Sequence, residues 1–535
     1  MPSLLQVLHT VSPAQAYVLL ACIVLVSIIY YKSRPPRSRL PLPPGPKPLP
    51  LIGNMLDIPK TMSSAEYYAL SRKYGDIVYL NAMGNSMILL GSMEAANELL
   101  EKRATNYSNK PGSAMANLSF WMERRELHRF TGQPAAIAQH GRVLEKHAAT
   151  YLVSLLKNPG RYSEDAHLTL GKVIMELSYG IKVKTYDDDY LKLVQEGNDI
   201  FQKAFVPGKY LVETFPVLKH IPAWFPGATF RREAAGWRAT YGAVRERPFA
   251  AAMEHMVSII PTLRSPAHRG DEAAAASVAG VMVRSAQDEN GRISPDDEVL
   301  AQNVASTVYT LTTIRMFFLA MATYPAVQKR AQEELDAVMG PDRLPTLADR
   351  AALPYVDAVL KECLRWHPIL PLALPRTSAE DDEYRGYHIP AGTTVLAHSW
   401  CYYPDPERFS PERYFTADGK PNKNVMDPRT FAFGYGRRIC PGRNLGEAAV
   451  FVTIASVLHA FNVEPPLDES GRPVVPKPKF AANFLSDPEP FDCRITVRSA
   501  TMGRLVQTAA RNMRPEVDSR EHCFYTAMMG TVIPA

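Results

Sequence analysis

The sequence predicts a mainly α fold with small β-sheets, an α+β protein, on three observations. Helical spacing of apolar residues recurs over long stretches, at 142–157, 299–323, 326–338 and 355–366. The strand-like runs are few and short: 77–80 and 87–90, separated by a turn region at Gly84-Asn85, suit a single hairpin. Finally, a loop with glycines at Gly436 and Gly442 leads straight into another helical pattern at 443–460.

Taken in order, Ser92 caps a helix that runs through Arg103, with Glu94 early and Lys102-Arg103 in its last turn. The segment 410–430 is rich in charge and proline and reads as loop. There are 45 prolines against 30 glycines, which implies many rigid connections, and 46% apolar content supports a large core. Six cysteines are scattered without paired spacing, which argues against a disulfide framework. The net charge of +6 is small for 535 residues and no basic block stands out, so nucleic acid is not expected as a partner. No Gly-x-Gly-x-x-Gly follows a strand and no phosphate loop is present.

Residues 14–31 are uncharged and mostly apolar, long enough as a helix to span about 27 Å. Lys32, Arg34, Arg37 and Arg39 follow at once. The positive-inside rule then places 1–13 in the lumen and everything after 31 in the cytosol. Charges that follow the apolar run favour an uncleaved anchor over a signal peptide. The next stretch, 32–60, contains eight prolines between Pro35 and Pro50 and reads as a semi-rigid hinge. With that topology the sequons at Asn106 and Asn117 face the cytosol and are read as unmodified.

The chemistry concentrates at Phe-Gly-Tyr-Gly-Arg-Arg-Ile-Cys-Pro-Gly, 433–442. Cys440 sits just before a helix, beside Arg437 and Arg438; cations and a helix start both favour a thiolate. A thiolate on haem iron pushes electron density onto the metal and favours O–O cleavage. The run resembles, at every fixed position, the Phe-x-x-Gly-x-Arg-x-Cys-x-Gly signature of the cytochrome P-450 family. The resemblance implies that Cys440 is the axial ligand of a haem, that Arg438 meets a propionate and that Phe433 shields the thiolate. Gly436 and Gly442 would let the backbone approach the macrocycle.

Upstream, Glu362 and Arg365 lie three apart on one helix face, and Arg413 follows in Phe-Ser-Pro-Glu-Arg-Tyr. In the family such residues form a buried triad that supports the haem loop. Arg376, after Leu374-Pro375, resembles the family's second propionate-binding base. Trp121 and Arg125 fit a Trp-x-x-x-Arg pair that touches the propionates, although the loop before them is short; a plain charged helix face fits the same residues. The resemblance runs from the anchor to Ser499 and is densest over 317–446. It implies a haem-thiolate domain over 61–499 and a C-terminal extension over 500–535. Met502, Leu505, Val506, Ala509, Ala510 and Met513 of that extension form a helical stripe suited to a membrane surface, but a poorly ordered tail is the favoured expectation.

One part of the pattern breaks. The family places an acid and a threonine midway along the helix over the haem, where they relay protons to bound oxygen. Unbroken register puts Val308 and Tyr309 there, and no Asp or Glu occurs between Glu298 and Glu333. A gap of about six residues fits better; it would shorten the helix by about 9 Å and turn its downstream face by about 240°. No catalytic side chain is therefore assigned. Splicing, a mistaken gene model and true divergence all fit the break.

The resemblance thus implies an endoplasmic-reticulum monooxygenase that oxidises a lipophilic small molecule, as fungal relatives in secondary metabolism do. NADPH–cytochrome reductase would supply electrons, docking on Lys420, Lys423, Arg429, Arg437 and Arg443. A haem-binding member with little activity and an oxygen-independent isomerase or dehydratase are the alternatives.

Overall fold

The computed structural model describes residues 39–61, 63–111, 115, 134–204, 209–259, 277, 279, 311–481 and 484–512. The anchor 14–31, Asn117, Trp121, Arg125, Val308 and Tyr309 lie outside them. Helix α1 (Ser64–Tyr74) leads into the hairpin β1 (Ile77–Ala82) and β2 (Asn85–Leu90), paired from Ile77↔Leu90 to Ala82↔Asn85. The hairpin forms where the apolar alternation placed it. The proline-rich hinge is less free than its composition suggests. From Pro41 onward it lies along the sheets: Tyr79 donates to the Pro44 carbonyl at 2.7 Å and His388 to Pro41 at 2.8 Å. A Cβ on Gly45 would sit 2.0 Å from the Tyr79 carbonyl oxygen, so glycine is needed for this approach.

Ser92 caps α2 (Met93–Asn97), its hydroxyl accepting from the Ala95 N–H at 3.2 Å. The helix then loosens into a π-helical turn, Glu98–Lys102, which ends at Arg103. After α3 (Pro134–Lys157), α4 (Tyr162–Tyr179), α5 (Asp189–Ala204) and α6 (Thr229–Ile259), the core is built by α7 (Leu311–Thr323), α8 (Pro325–Met339) and α9 (Pro354–Trp366). Phe317 and Phe318 of α7 are wholly buried; burying each side chain contributes roughly 1.5–3 kcal/mol. The start of α9 is capped from its neighbour: Glu334 of α8 accepts the Tyr355 and Val356 N–H groups at 2.8 and 2.9 Å.

Strands β3 (Arg376–Thr377), β4 (Asp382–Tyr384), β5 (Tyr387–Ile389) and β6 (Thr394–Ala397) follow. The larger sheet has the order β1-β2-β6-β3, with β6 parallel to β2 and antiparallel to β3. Helix α10 (Arg443–Ala460) is mostly apolar and, Glu447 apart, buried from Leu445 onward, packed on α3, α8 and α9. Strands β7 (Phe461–Glu464) and β8 (Arg494–Val497) pair antiparallel.

The expected poorly ordered tail is, over its first part, a helix. α11 (Ala500–Asn512) buries Met502 and Val506 and packs on α3. The helical stripe found an apolar partner, which composition alone does not reveal. Among the described residues no helix is long and apolar enough to cross a membrane.

Candidate functional site

The cysteine loop closes on itself. The Cys440 N–H donates to the Phe433 carbonyl at 2.7 Å, Arg438 to Tyr435 at 3.2 Å, and Ile439 to Gly436 at 3.1 Å. Gly434 and Gly436 take φ of 87° and 49°. At Gly436 the need is double, because a Cβ would also lie 2.7 Å from the Leu100 carbonyl oxygen. The π-helical turn is thus the shelf on which this loop rests. Gly442 differs. It is buried, yet a Cβ built on it would meet no atom within 4 Å. Beside Cys440, at the start of α10, there is therefore internal space bounded by backbone.

Two guanidinium groups reach this loop. Arg376 is buried in β3 and donates to the Arg438 carbonyl at 3.3 Å; Arg438 donates to the Ser108 carbonyl at 3.1 Å. Phe433 is half-buried against the main apolar core. A cysteine just before a helix, one arginine in its loop and another against it, and a glycine facing space fit a flat, anionic, metal-bearing macrocycle.

The structure brings Glu362, Arg365 and Arg413 together. Glu362 and Arg365 are 0% and 1% exposed and form a two-pronged pair at 2.8 Å and 2.8 Å. Glu362 Oε1 also accepts from Arg413 Nε at 3.2 Å and from the Ser410 N–H at 2.7 Å. Arg365 spends its other donors on the Pro406 and Arg408 carbonyls, at 2.9 and 2.8 Å. Arg413 Nη2 shares the Arg408 carbonyl at 3.1 Å. One carboxylate thereby fixes the path of 404–413 against α9.

Other expectations are redrawn. Arg429 does not belong to an open docking face: it binds Asp427 and reaches Glu447 at 3.1 Å and Asp357 at 3.8 Å. Lys423 and Arg437 are exposed, and Lys420 pairs on the surface with Asp418 at 2.8 Å. Asn106 uses its side chain as a brace: Oδ1 accepts from the Ala379 and Glu380 N–H groups, each at 2.8 Å, and Nδ2 donates to the Glu380 carbonyl at 3.2 Å.

Sequence reasoning missed Arg350, Asp357, Lys361, Asp427 and Glu447, which cluster around Arg429. The i,i+4 spacing of Asp357 and Lys361 was the one readable sign. It also missed Asp487, which the 484–488 segment brings against α7. Asp487 pairs with Arg315, and burial raises its carboxyl above the usual value against the pull of Arg315 and the Thr312 hydroxyl. So the fold does place an acid beside this helix, but one already held by an arginine.

Fold, loop and buried charge pairs define a haem-thiolate class of enzyme. The family model for cytochrome P450 matches residues 43–493, and the chain belongs to that family. It is 36% identical to "Cytochrome P450 monooxygenase COX2" of Coprinopsis cinerea over 498 residues, 88% of this chain and 92% of the relative. Over 512 residues it is also 36% identical to the tryptamine 4-monooxygenase of Psilocybe cyanescens, covering 90% and 98%. To "Cytochrome P450 monooxygenase claR" of Ampulloclitocybe clavipes the identity is 36% over 494 residues, 87% and 88%. The chain is a monooxygenase of the oxidoreductase class, and the cofactor of its family is haem with an axial cysteine thiolate.

Proposed function

We propose that Cys440 is the axial ligand and that the enzyme oxidises a lipophilic small molecule in secondary metabolism, drawing electrons from NADPH through a separate reductase. The observation that carries this is the self-closed 433–440 loop presenting Cys440 next to the open space at Gly442. When bound, haem supplies the redox chemistry that activates dioxygen. The chain's own residues do the rest. Cys440 Sγ, just before α10, would hold the iron as a thiolate. Arg376 and Arg438 would meet the propionates and so orient the ring. Phe433 keeps water from the sulfur, and Glu362 holds the two arginines that fix the chain on the far side of α9. The relatives' names, tryptamine 4-monooxygenase among them, support small-molecule oxidation.

The test is spectroscopic. Reduced enzyme under CO is expected to absorb at about 450 nm, as thiolate ligation implies. Cys440→Ser is expected to lose that band. A wild-type spectrum typical of histidine ligation overturns the assignment.

Attachment to the endoplasmic reticulum with the domain in the cytosol completes the reading. It is supported by the apolar run at 14–31 with its trailing cations, and by large apolar side chains left in the open within one stretch of chain: Leu211, Val217 and Trp224 are 68%, 64% and 79% exposed. Deleting residues 1–31 is expected to release the protein from microsomes. Protease added to sealed microsomes is expected to digest the wild-type domain, and protection of the whole chain overturns the topology.

A second reading concerns efficiency. Among the described residues α7 carries no carboxylate, and Asp487, beside it, is held by Arg315. Thr312 offers α7 an alcohol next to Asp487, but with no carboxylate on the helix and that acid held by Arg315, the enzyme works as a weak, poorly coupled monooxygenase.

A further inference from the structure

Helix α9 carries a second ion cluster, distinct from Glu362 and its arginines. Glu447, on α10, accepts from Arg350 and, at 3.1 Å, from Arg429. Arg350 also binds Asp357 Oδ1 through Nε at 2.9 Å. Lys361 lies 3.2 Å from Asp357 and 3.7 Å from Asp427, and Arg429 closes the ring on Asp427. Three cations thus face three carboxylates, so the cluster is neutral. Glu447 and Asp357 are the deepest members, at 11% and 15% side-chain exposure, while Asp427 lies at the edge of the cluster at 33%. Burial pushes the Asp357 and Asp427 carboxyls up, but their cationic neighbours and hydrogen bonds outweigh it and hold both below the usual value.

The position of these residues in the chain gives the cluster its meaning. Arg429 lies four residues before Phe433, and Glu447 seven after Cys440, so the two flank the ligand loop. The Ala432 N–H is bound to the Pro428 carbonyl at 2.8 Å, which carries the hold at Asp427 and Arg429 directly into the loop. At the other end Glu447 sits in the second turn of the helix that Cys440 precedes. One end of the loop is thus tied to α9 through Arg429–Asp357 and Asp427–Lys361, and the other through Glu447, whose two arginines, Arg350 and Arg429, both reach Asp357. Lys361 also lies over the ring of Tyr414, 5.6 Å from its centroid, next to Arg413 of the first cluster.

We propose that this six-residue cluster positions Cys440, and that Glu447, the acceptor shared by two arginines, is its central positioning residue. This rests on the assignment of Cys440 as ligand. Glu447 touches neither substrate nor iron; it acts by fixing the start of α10 against the segment that enters the loop. Removing its charge leaves Arg350 and Arg429 competing for two carboxylates, frees one end of the loop and adds net positive charge near the thiolate.

The test uses full-length holoenzyme. Glu447→Gln is expected to raise the rate of haem loss to a haem-scavenging protein about 10-fold, the lower end of what loss of a supporting contact costs a metal site. The thiolate-type reduced-CO band is expected to weaken at equal haem content, and the iron midpoint potential to move upward. Glu447→Asp is expected to restore part of each. Should Glu447→Gln fold poorly, R429M/E447M removes one cation and one anion together and leaves no charge uncompensated. That variant is expected to melt near the wild type and still lose the band. Unchanged haem loss, CO spectrum and potential in a folded variant overturn the proposal, even if its melting temperature falls. A wild-type enzyme without the thiolate band would instead overturn the ligand assignment itself, so the two failures are distinguishable.

Discussion

The ligand loop and helix α7 share one apolar core but differ in how charge is used around them. Upstream of the loop, on α9, Glu362 takes two arginines and a backbone N–H, and just after the loop Glu447 takes two arginines. On α7 the single charged residue is Arg315, and its partner Asp487 comes from a distant segment. The first region is held by directional, charge-assisted contacts that fix position as well as burial. The second is held by packing of Phe317, Phe318 and Met321, which specifies burial more than register.

The largest effect should come from breaking the charged side. Glu362→Ala leaves Arg365 buried without its carboxylate, at an expected cost of about 3–5 kcal/mol. Thermal melting and haem content should both fall; a mutant with normal values of each would reduce the pair to a surface contact.

The converse experiment adds to the apolar side. Inserting an Ala-Gly-x-Asp-Thr segment near Tyr309 is expected to raise the fraction of NADPH that ends in product, because a placed general acid is worth about 10²–10⁴ in rate. In the unaltered enzyme most NADPH should appear as hydrogen peroxide. Tight coupling there would show that oxygen is activated by another route.

A pH series sharpens the contrast next. Glu176 of α4 is bound by His147 and Lys146 of α3 at 2.6 and 2.8 Å. Burial raises its carboxyl, but these partners win and lower it to about 2. A lowered acid stabilises the folded state fully above its unfolded value near 4.5 and loses that contribution as pH falls towards 2. Up to about 3 kcal/mol should disappear over that window in denaturant titrations. His147→Gln should flatten the slope, and an unchanged slope would count against the pair.

The smallest change is expected from Asp487→Asn. Since Arg315 already holds this carboxylate, the peroxide fraction should stay the same. A marked rise would make Asp487 the proton source that α7 itself lacks.

Much of this was legible in the chain. The hairpin, the Ser92 cap, and α8, α9 and α10 follow from periodicity and capping, which are local. The 433–442 motif was legible because a ligand loop needs its glycines, arginine and cysteine at fixed spacing, and Glu362 with Arg365 because three residues make one helix face. Arg413 became a partner only through the family resemblance. The cluster around Glu447 was not legible, since its members come from four separated segments and each alone looks like a solvated charge. The same holds for the π-helical shelf under Gly436, the sheet-bound hinge, and the apolar partner of α11.

By itself, then, the sequence determined which local elements form and, through the 433–442 motif, which family the chain belongs to, because both depend on neighbours along the chain. Tertiary structure decided which charges are neutralised and which stay exposed. Arg429 turned inward to Asp427 and Glu447 instead of outward to a partner, because a guanidinium and carboxylates taken from water together stabilise one another only when the fold brings them within hydrogen-bonding distance.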